Sequence, residues 1–300
     1  MKKVFYNTQI RRMQKMHVLL YALLPAAVWI AGIAVGIPFT AEAGLVAIFM
    51  WLFTGIGVSV GYHRLFTHRS FKTHTPMAKL LAVAGMMAGP GPVLSWVANH
   101  RMHHQHSDEE GDPHSPNLSG TSLRGRLKGL WHAHYGWMVD HPYANPLFYC
   151  PDLVRMPWLR NLCNYYHLWV WIGLLSPALL YVAITKDAGT ALSILVYGGF
   201  ARLFVVYNII SSVNSIGHAI GARRYPTNDH SRNNLLVALL AIGEGWHNNH
   251  HAAPYSAYLG HTRWQVDLGG AVIRAMRLIG LAWEVKGPDL DLTNGDIRTG

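Results

Sequence analysis

Four long runs of apolar residues divide the chain. They cover about residues 17–38, 43–62, 168–184 and 190–213, and each is near the roughly 20 residues that a helix needs to cross a bilayer. Short links join the first run to the second and the third to the fourth. The pattern therefore predicts an all-α integral membrane fold with four transmembrane helices, built as two helical hairpins within one domain.

A fifth apolar stretch, from Lys79 to Val97, does not have the character of a span. The tetrapeptide Gly89-Pro90-Gly91-Pro92 interrupts it and leaves no piece long enough to cross. A crossing here would also place the histidine motifs described below on opposite sides of the membrane. We predict a pair of interfacial or re-entrant helices instead.

The remaining, more polar residues, 63–165 and 214–300, are predicted to form a cap on one side of the membrane. Five Lys or Arg residues precede the first run, whereas the link after it has none, which places the cap and both termini in the cytoplasm. The first run is too long for a signal peptide and lacks a clear cleavage site, so we expect an uncleaved helix. An amphipathic helix near Val266–Leu281 and a polar tail complete the cap.

Composition supports a membrane protein. Charged residues make up 13% of the chain, about half of the roughly 25% that is usual for soluble domains. A net charge of +10 suggests a nucleic-acid partner. However, the basic residues are scattered and form no known nucleic-acid-binding module, so we expect no such partner. Arg202 and Asn208 lie inside the fourth run and should face other helices, Arg202 as an interhelical hydrogen-bond partner.

Histidine is the residue that carries candidate chemistry. Of 19 histidines, eight fall into three boxes near the ends of predicted elements. Two boxes have the spacing i, i+3, i+4, which places their rings on one face of a helix. The boxes are His63 and His68; His100, His103 and His104; and His247, His250 and His251. His218, at the end of the fourth run, is a plausible ninth member.

Nine imidazoles are enough for two metal ions. Imidazole suits iron, copper, nickel and zinc, and a zinc site takes only three or four protein ligands. The spacing of the second box also lets His103 and His104 serve different metals. Carboxylate-based di-metal bundles use two Glu-x-x-His motifs, and this chain has one, Glu244 to His247, so we expect an all-histidine centre.

Other polar residues near the boxes have two possible roles. Asp108, Glu109 and Asp112 follow the second box and either hold the second nitrogen of a ligand ring or are solvated loop acids. The histidines without the box spacing are expected to lie on the surface or to support a ligand. They are His74, His106, His114, His132, His134, His141 and His261.

The boxes HRLFTH, HRMHH and HNNHH, together with the tract NSIGH, resemble those of the membrane fatty-acid desaturase family, of the delta-9 stearoyl-CoA type and its bacterial acyl-lipid relatives. The resemblance covers nearly the whole chain in box order, spacing and four-span layout. Flanking residues extend it: Gly61-Tyr62 before the first box, Asp112-Pro113-His114 after the second, and Gly243-Glu244-Gly245 before the third.

The resemblance implies a di-iron enzyme in a bacterial inner membrane. It would use O₂ and two external electrons, from a ferredoxin or a cytochrome, to place a double bond in a long acyl chain. Asn214 would hold a water near one iron, and Trp96 and Trp246 would either line the acyl tunnel or anchor the protein at the membrane interface. The iron ligands it implies are His63, His68, His100, His103, His104, His218, His247, His250 and His251.

The acyl carrier, the role of one basic cluster and the type of reaction each have alternatives. Val97-Ala98-Asn99 replaces a charged pair that helps the animal enzymes to hold coenzyme A, so the acyl carrier is CoA, a lipid or acyl-carrier protein. Arg124, Arg126 and Lys128 either bind a phosphate-bearing headgroup or are cytoplasmic positive charge. The alternatives to a desaturase are an acyl hydroxylase, ketolase or acetylenase with the same architecture, or a non-catalytic metal carrier.

Overall fold

The computed structural model describes residues 1–288, which are mostly helical. Residues 289–300, the end of the predicted polar tail, lie outside the described residues. The helices are α1 Thr8–Ala34, α2 Ala41–Thr67, α3 Thr75–Met86, α4 Val93–His106, α5 123–139, α6 Pro146–Tyr149, α7 Pro151–Val154, α8 Pro157–Asn164, α9 Tyr166–Thr185, α10 Ala188–His218, α11 Leu235–Leu240, α12 His247–Ala252 and α13 Leu268–Leu278.

Four of the described helices, α1, α2, α9 and α10, are long and apolar enough to cross a membrane. They confirm the predicted four-span fold. Their bounds differ from the apolar runs, because a helix continues past the point where its sequence becomes polar. Thus α1 begins at Thr8 rather than residue 17, and α10 continues to His218 rather than ending at residue 213.

Local sequence explains where these helices begin and end. The side chain of Asn7 accepts a hydrogen bond from the backbone N–H of Ile10 at 2.9 Å and caps α1. Gly36, with a φ of +78°, and Pro38 then stop α1 four residues before the predicted end. At the start of α10, Asp187 accepts from the N–H groups of Gly189 and Thr190.

The broken stretch after α2 forms two helices, α3 and α4, as predicted. Gly89 and Gly91 have φ values of +81° and +111° in the link between them. Helix α3 packs closely on the end of α2, where a Cβ on Gly57 would lie 2.1 Å from the backbone nitrogen of Gly85. This contact fixes α4, which carries the second histidine box, beside the end of α2.

The two polar residues of the fourth run face protein, as expected. Arg202 is buried in α10 and donates to the backbone carbonyls of Met87 and Gly173 at 3.3 and 3.2 Å, which confirms its interhelical role. Asn208 accepts from the hydroxyl of Tyr135 in α5 at 2.5 Å. Both contacts tie the spans to the cap.

Two short antiparallel ribbons join distant parts of the cap. Strand β1, Val4–Phe5, pairs with β3, Tyr143–Ala144, and β2, Lys72–Thr73, pairs with β4, Ala282–Trp283. The second ribbon brings the chain after α13 next to the first histidine box. Helix α13 confirms the amphipathic helix predicted near Val266–Leu281.

Candidate metal centre

The first histidine box lies on a π-helix. The last eleven residues of α2, Gly57–Thr67, have this form, and the N–H of His68 bonds to the carbonyl of His63 at 3.1 Å. In an α-helix two residues five apart would point about 140° from each other. The i to i+5 bonding of a π-helix brings them to the same side, so both rings point into one site.

The other boxes lie on α4 and α12, and His218 ends α10 in a 3₁₀ turn. Gly217 lets this turn approach the third box, since a Cβ there would lie 3.3 Å from the ring of His247. The structure thus brings all nine predicted histidines together from α2, α4, α10 and α12.

The nine rings form two clusters, in each of which the candidate ligand atoms lie within 4.8 Å of one another. Cluster one comprises His63, His68, His100, His104 and His250. Cluster two comprises His103, His218, His247 and His251. Helix α4 gives two rings to cluster one and one to cluster two, and α12 does the reverse. His103 and His104 therefore belong to different clusters, in the manner that the box spacing allows.

The ring nitrogens face one another at short range. In cluster one, the Nε2 atom of His250 lies 3.1 Å from that of His63 and 2.9 Å from that of His104. In cluster two, the Nε2 atom of His247 lies 2.9 Å from that of His218 and 3.1 Å from that of His251. Perpendicular metal–nitrogen bonds of about 2.1 Å would hold two nitrogens about 3.0 Å apart, so these separations suit shared metal ions.

The hydrogen bonds of the ring nitrogens also favour a metal ion in the clusters. The Nδ1 atoms of His218 and His251 lie against carboxylates, which leaves their Nε2 atoms as acceptors. Both face the Nε2 atom of His247, which carries at most one proton and can donate to only one of them, whereas a shared cation satisfies both. The buried Nε2 atoms of His68 and His103 have no hydrogen-bond partner among the described residues. The donor set therefore fits a nitrogen-preferring transition metal in each cluster.

Burial favours neutral imidazole, the form that binds metal. It lowers the pKa of most of the rings, and neighbouring histidines lower the pKa further. These rings are His68, His100, His104, His247 and His250. For His251, burial outweighs the hydrogen bond to Asp229 and lowers the pKa to about 4.

Three carboxylates support cluster two. Asp112 lies 3.0 Å from the Nδ1 atom of His103, Asp108 lies 2.8 Å from that of His218, and Asp229 lies 2.5 Å from that of His251. Burial alone would raise the pKa of each carboxyl, but the adjoining imidazole lowers it well below the usual range. Each carboxylate fixes the orientation of its ring and makes the ring a stronger donor to metal.

Cluster one has a different support. Glu244 places an oxygen 2.5 Å from the Nδ1 atom of His63, and its other oxygen accepts from Ser59 at 2.5 Å and Arg64 at 3.2 Å. Arg64 also pairs with Asp267 at 2.8 Å. Burial raises the pKa of the Glu244 carboxyl, but His63 and Arg64 beside it lower the pKa by more.

An apolar cavity runs past both clusters. It lies between α2, α10 and the cap and is partly open to solvent. His63 and His100 of cluster one and His247 of cluster two line it, as do Trp96 and Asn214. The ring of Trp96 stacks on His100 with centroids 4.9 Å apart.

The two predicted tunnel residues lie in different surroundings. Trp96 lines the cavity, whereas Trp246 is not among the lining residues. Trp246 packs with Ala238 and Leu259 and donates its indole N–H to the carbonyl of Val266 at 2.8 Å. Its position therefore does not support the expected tunnel role.

A separate, polar opening reaches the centre. It is lined by His68, His104 and His251, the three cluster residues that are not fully buried. Arg101 and Asp229 also line it. The centre thus meets an apolar space through some of its histidines and a polar space through others.

Sequence reasoning found some of the supporting residues and missed others. Asp108 and Asp112 were candidates and contact cluster rings, whereas Glu109 is exposed. Asp229 and Arg64 were missed: Arg64 was detectable as a charge inside the first box, but Asp229 lies in an irregular loop with no recognisable motif.

Among the described histidines outside the two clusters, His114 contacts a cluster ring. The ring of buried His114 lies 4.4 Å from that of His103, and it also lines the cavity. His134 bonds to Ser215 and Asn208 of α10. His74 is exposed, and its ring lies 4.7 Å from that of Trp283 at a tilt of 56°.

Comparison with known proteins identifies this architecture. Residues 40–265, which include all three boxes and His218, match the family model described as fatty acid desaturase. The chain belongs to the fatty acid desaturase family. The resemblance seen in the sequence is confirmed, and the desaturase is an oxidoreductase that acts on fatty acyl groups.

Its relatives differ in their named reactions. A hex-5-enoyl-[acyl-carrier protein] acetylenase of Moorena producens is 45% identical over 291 residues, which cover 95% of the desaturase and 90% of that protein. An sn-1 stearoyl-lipid 9-desaturase of Anabaena variabilis is 37% identical over 249 residues, covering 82% and 84%. The corresponding enzyme of Synechocystis is 36% identical over 255 residues, covering 83% and 74%.

Proposed function

We propose that this desaturase introduces a cis double bond, of the delta-9 type, into a long acyl chain that is linked to a membrane lipid. The observation that carries the proposal is the apolar cavity that passes both histidine clusters. The delta-9 lipid desaturases of Anabaena and Synechocystis support the regiochemistry and the lipid carrier. The absence of a charged pair at Val97-Ala98-Asn99 also argues against coenzyme A.

The nine histidines would hold two iron ions, five rings at cluster one and four at cluster two. Asn214 would hold a water beside the centre, and it lines the same cavity. When bound, the iron pair would supply the redox chemistry that couples reduction of O₂ to oxidation of the acyl chain. The chain's own residues orient the rings, exclude water and position the substrate.

The reaction removes two hydrogens from adjacent methylenes and forms the double bond. One O₂ is reduced to two waters, with two electrons from the acyl chain, two from an external ferredoxin or cytochrome, and two protons from solvent. The apolar lining would align the chain with both clusters and keep bulk water from the face of the centre that meets the acyl chain. Trp96, stacked on His100, would set how the chain passes cluster one.

The cap and both termini would lie in the cytoplasm of a bacterial cell, at its inner membrane. The basic residues before α1 and the lack of Lys or Arg in the link from α1 to α2 support this orientation. The electron donor would then be a cytoplasmic protein, and the polar opening beside His68, His104 and His251 would face the same compartment.

The experiment is lipid analysis of a host that expresses the chain. We expect new monounsaturated acyl chains by gas chromatography–mass spectrometry, with derivatisation to locate the double bond, and none in cells expressing the His250→Ala variant at the same membrane level. Hydroxylated products without new alkenes would refute the desaturase reaction. New alkenes confined to acyl-carrier protein or CoA would refute the lipid carrier.

Acetylenic product formation is a second candidate, because the Moorena acetylenase matches 95% of the chain at 45% identity. That reaction would remove two hydrogens from an existing double bond on an acyl-carrier protein thioester. Feeding short alkenoyl thioesters to the purified protein distinguishes the two: terminal alkynes would favour the acetylenase, and their absence alongside lipid desaturation would favour the desaturase.

A further inference from the structure

The first half of α5, Leu123–Trp131, has an unusual arrangement of faces. Gly125 and Gly129 are buried, and they pack so closely on the preceding loop that a Cβ would lie 2.5 Å from the carbonyl oxygen of Ser119 and 1.9 Å from that of Pro116. The glycine face is therefore the face that meets the protein. This fixes which side of the helix points away.

The face that points away is apolar. Leu123, Leu127 and Trp131 follow one another at i, i+4 and i+8, and they are 75%, 59% and 64% exposed. At about 100° per residue they form a stripe opposite the two glycines. A surface helix of a soluble protein normally turns its apolar stripe inward. Because this stripe points outward, its apolar partner must lie outside the protein.

Cations border the stripe. Arg126 lies on one side of it, and Arg124 and Lys128 lie on the other, all exposed. The sequence LRGRLKGLW has no acidic residue. An outward apolar stripe with cations on both sides is the pattern of a helix that lies in the surface of a bilayer, with its cations at the level of anionic headgroups.

The rest of α5 packs against a candidate membrane span. Tyr135 donates to Asn208 at 2.5 Å, the hydroxyl of Tyr207 lies 2.9 Å from the sulfur of Met138, and His134 lies 2.9 Å from Ser215. These partners belong to α10, near the end of a candidate membrane span. The segment therefore leaves the protein beside a membrane helix and at its cap end.

We propose that Leu123–Trp131 is embedded in the membrane surface, with Leu123, Leu127 and Trp131 among the acyl chains and Arg124, Arg126 and Lys128 bound to anionic lipid headgroups. The same helix continues to Trp137 and Met138, which line the acyl cavity. The segment thus holds one wall of the cavity against the leaflet. That consequence rests on the proposed lipid substrate, whereas the membrane contact does not.

The test locates residue 127 in the full-length protein. Cys150 and Cys163 are the two cysteines of the chain, and both are first replaced by Ala. The Leu127→Cys change is then made in this background and labelled with bimane. The labelled protein is placed in nanodiscs of phosphatidylcholine and phosphatidylglycerol. Nitroxide-labelled lipid should quench this label as strongly as one at Ile30→Cys, an exposed position of α1. Aqueous iodide should quench it several-fold less than a label at Glu110→Cys, an exposed position of the cap loop.

The cations are tested in the same system. Nitroxide phosphatidylglycerol should quench the label at residue 127 at least about two-fold more than nitroxide phosphatidylcholine, and the triple change Arg124→Gln, Arg126→Gln, Lys128→Gln should remove the difference. Iodide quenching equal to that at residue 110 would overturn the proposal. Energy transfer between differently labelled copies at residue 127 would overturn it in favour of a second copy on this surface. Neither readout depends on turnover, so failure here is separate from failure of the proposed reaction.

Discussion

The two histidine clusters lie side by side, but they are supported in different ways. Cluster one has five rings, and among the described residues one carboxylate, Glu244, contacts a ring nitrogen in it. Cluster two has four rings, of which three are held by Asp108, Asp112 or Asp229. Cluster one therefore has more nitrogen donors, and cluster two has more negative charge beside them.

This difference in charge affects how each cluster would bind a cation. Burial lowers the pKa of His103 in cluster two, but the carboxylates of Asp112, Asp108 and Asp229 together outweigh burial, and the pKa is raised. A field that favours a proton on His103 also favours a metal ion bound there. In cluster one, Arg64 offsets the charge of Glu244. In the proposed di-iron centre, cluster two would therefore bind its ion chiefly through charge and cluster one chiefly through the number of its ligands.

The largest expected effect follows from removing one ring from either cluster. His103→Ala in cluster two and His250→Ala in cluster one should each abolish turnover, since O₂ reduction requires both metals in the proposed reaction. Metal content should fall by up to one ion per chain in each variant, with the protein still inserted in the membrane. Product analysis and elemental analysis of the purified variants measure this.

The exposed His74 provides the control for both variants, because it lies outside the clusters. His74→Ala should keep both the turnover and the metal content of the natural protein. Turnover retained in His103→Ala and in His250→Ala would contradict the assignment of the nine rings as ligands.

A large loss of stability is expected when the buried ion pairs beside cluster one are broken. Arg64→Met leaves Glu244 and Asp267 buried without their counter-charge, which should cost about 3–5 kcal/mol. Arg202→Met is the matched control, because the hydrogen bonds of Arg202 go to backbone carbonyls and its removal leaves no buried carboxylate. The fraction of monodisperse protein after graded heating in detergent compares them, and equal losses would show that the Arg64 network has no special role.

A smaller effect, on metal affinity, is expected where cluster two is supported. Asp112→Asn keeps the shape of the side chain but removes the charge beside His103, and loss of such a partner typically weakens metal binding about 10- to 100-fold. Graded chelation followed by elemental analysis should show one ion per chain lost at lower chelator strength. Glu110→Gln, an exposed acid of the same loop, should leave both ions in place.

The sequence was sufficient to predict which nine histidines come together, but not how they divide between two clusters or how each cluster is supported. The box spacings give the helix faces of α4 and α12, and the apolar runs give four spans, because both depend on local periodicity. The π-helix that aligns His63 with His68 has no signature in the apolar pattern, which predicts only that α2 is a helix. Asp229 and Asp267 contact residues far away in the chain, so only the tertiary structure reveals them.

The helix boundaries and the outward face of α5 also depend on the structure and not on the apolar pattern alone. Apolar length locates a span, but capping by Asn7 and termination near Gly36 decide where α1 begins and ends. The stripe of Leu123, Leu127 and Trp131 is visible in the sequence as helical spacing. That it faces outward becomes clear only when Gly125 and Gly129 are seen against their loop.

The smallest expected effect separates the two tryptophans that adjoin the clusters. Trp96→Phe keeps an aromatic ring over His100 but enlarges the cavity, so it should change the distribution of product chain lengths or the KM a few-fold, with little change in stability. Trp246→Phe removes the hydrogen bond to Val266, worth about 1 kcal/mol, and should lower thermal stability while leaving product distribution unchanged. Product analysis and heating curves for both variants measure the two quantities side by side. If Trp246→Phe shifts the products and Trp96→Phe does not, the acyl chain passes on the cluster-two side of the centre, and the cavity that adjoins His63 and His100 is not its path.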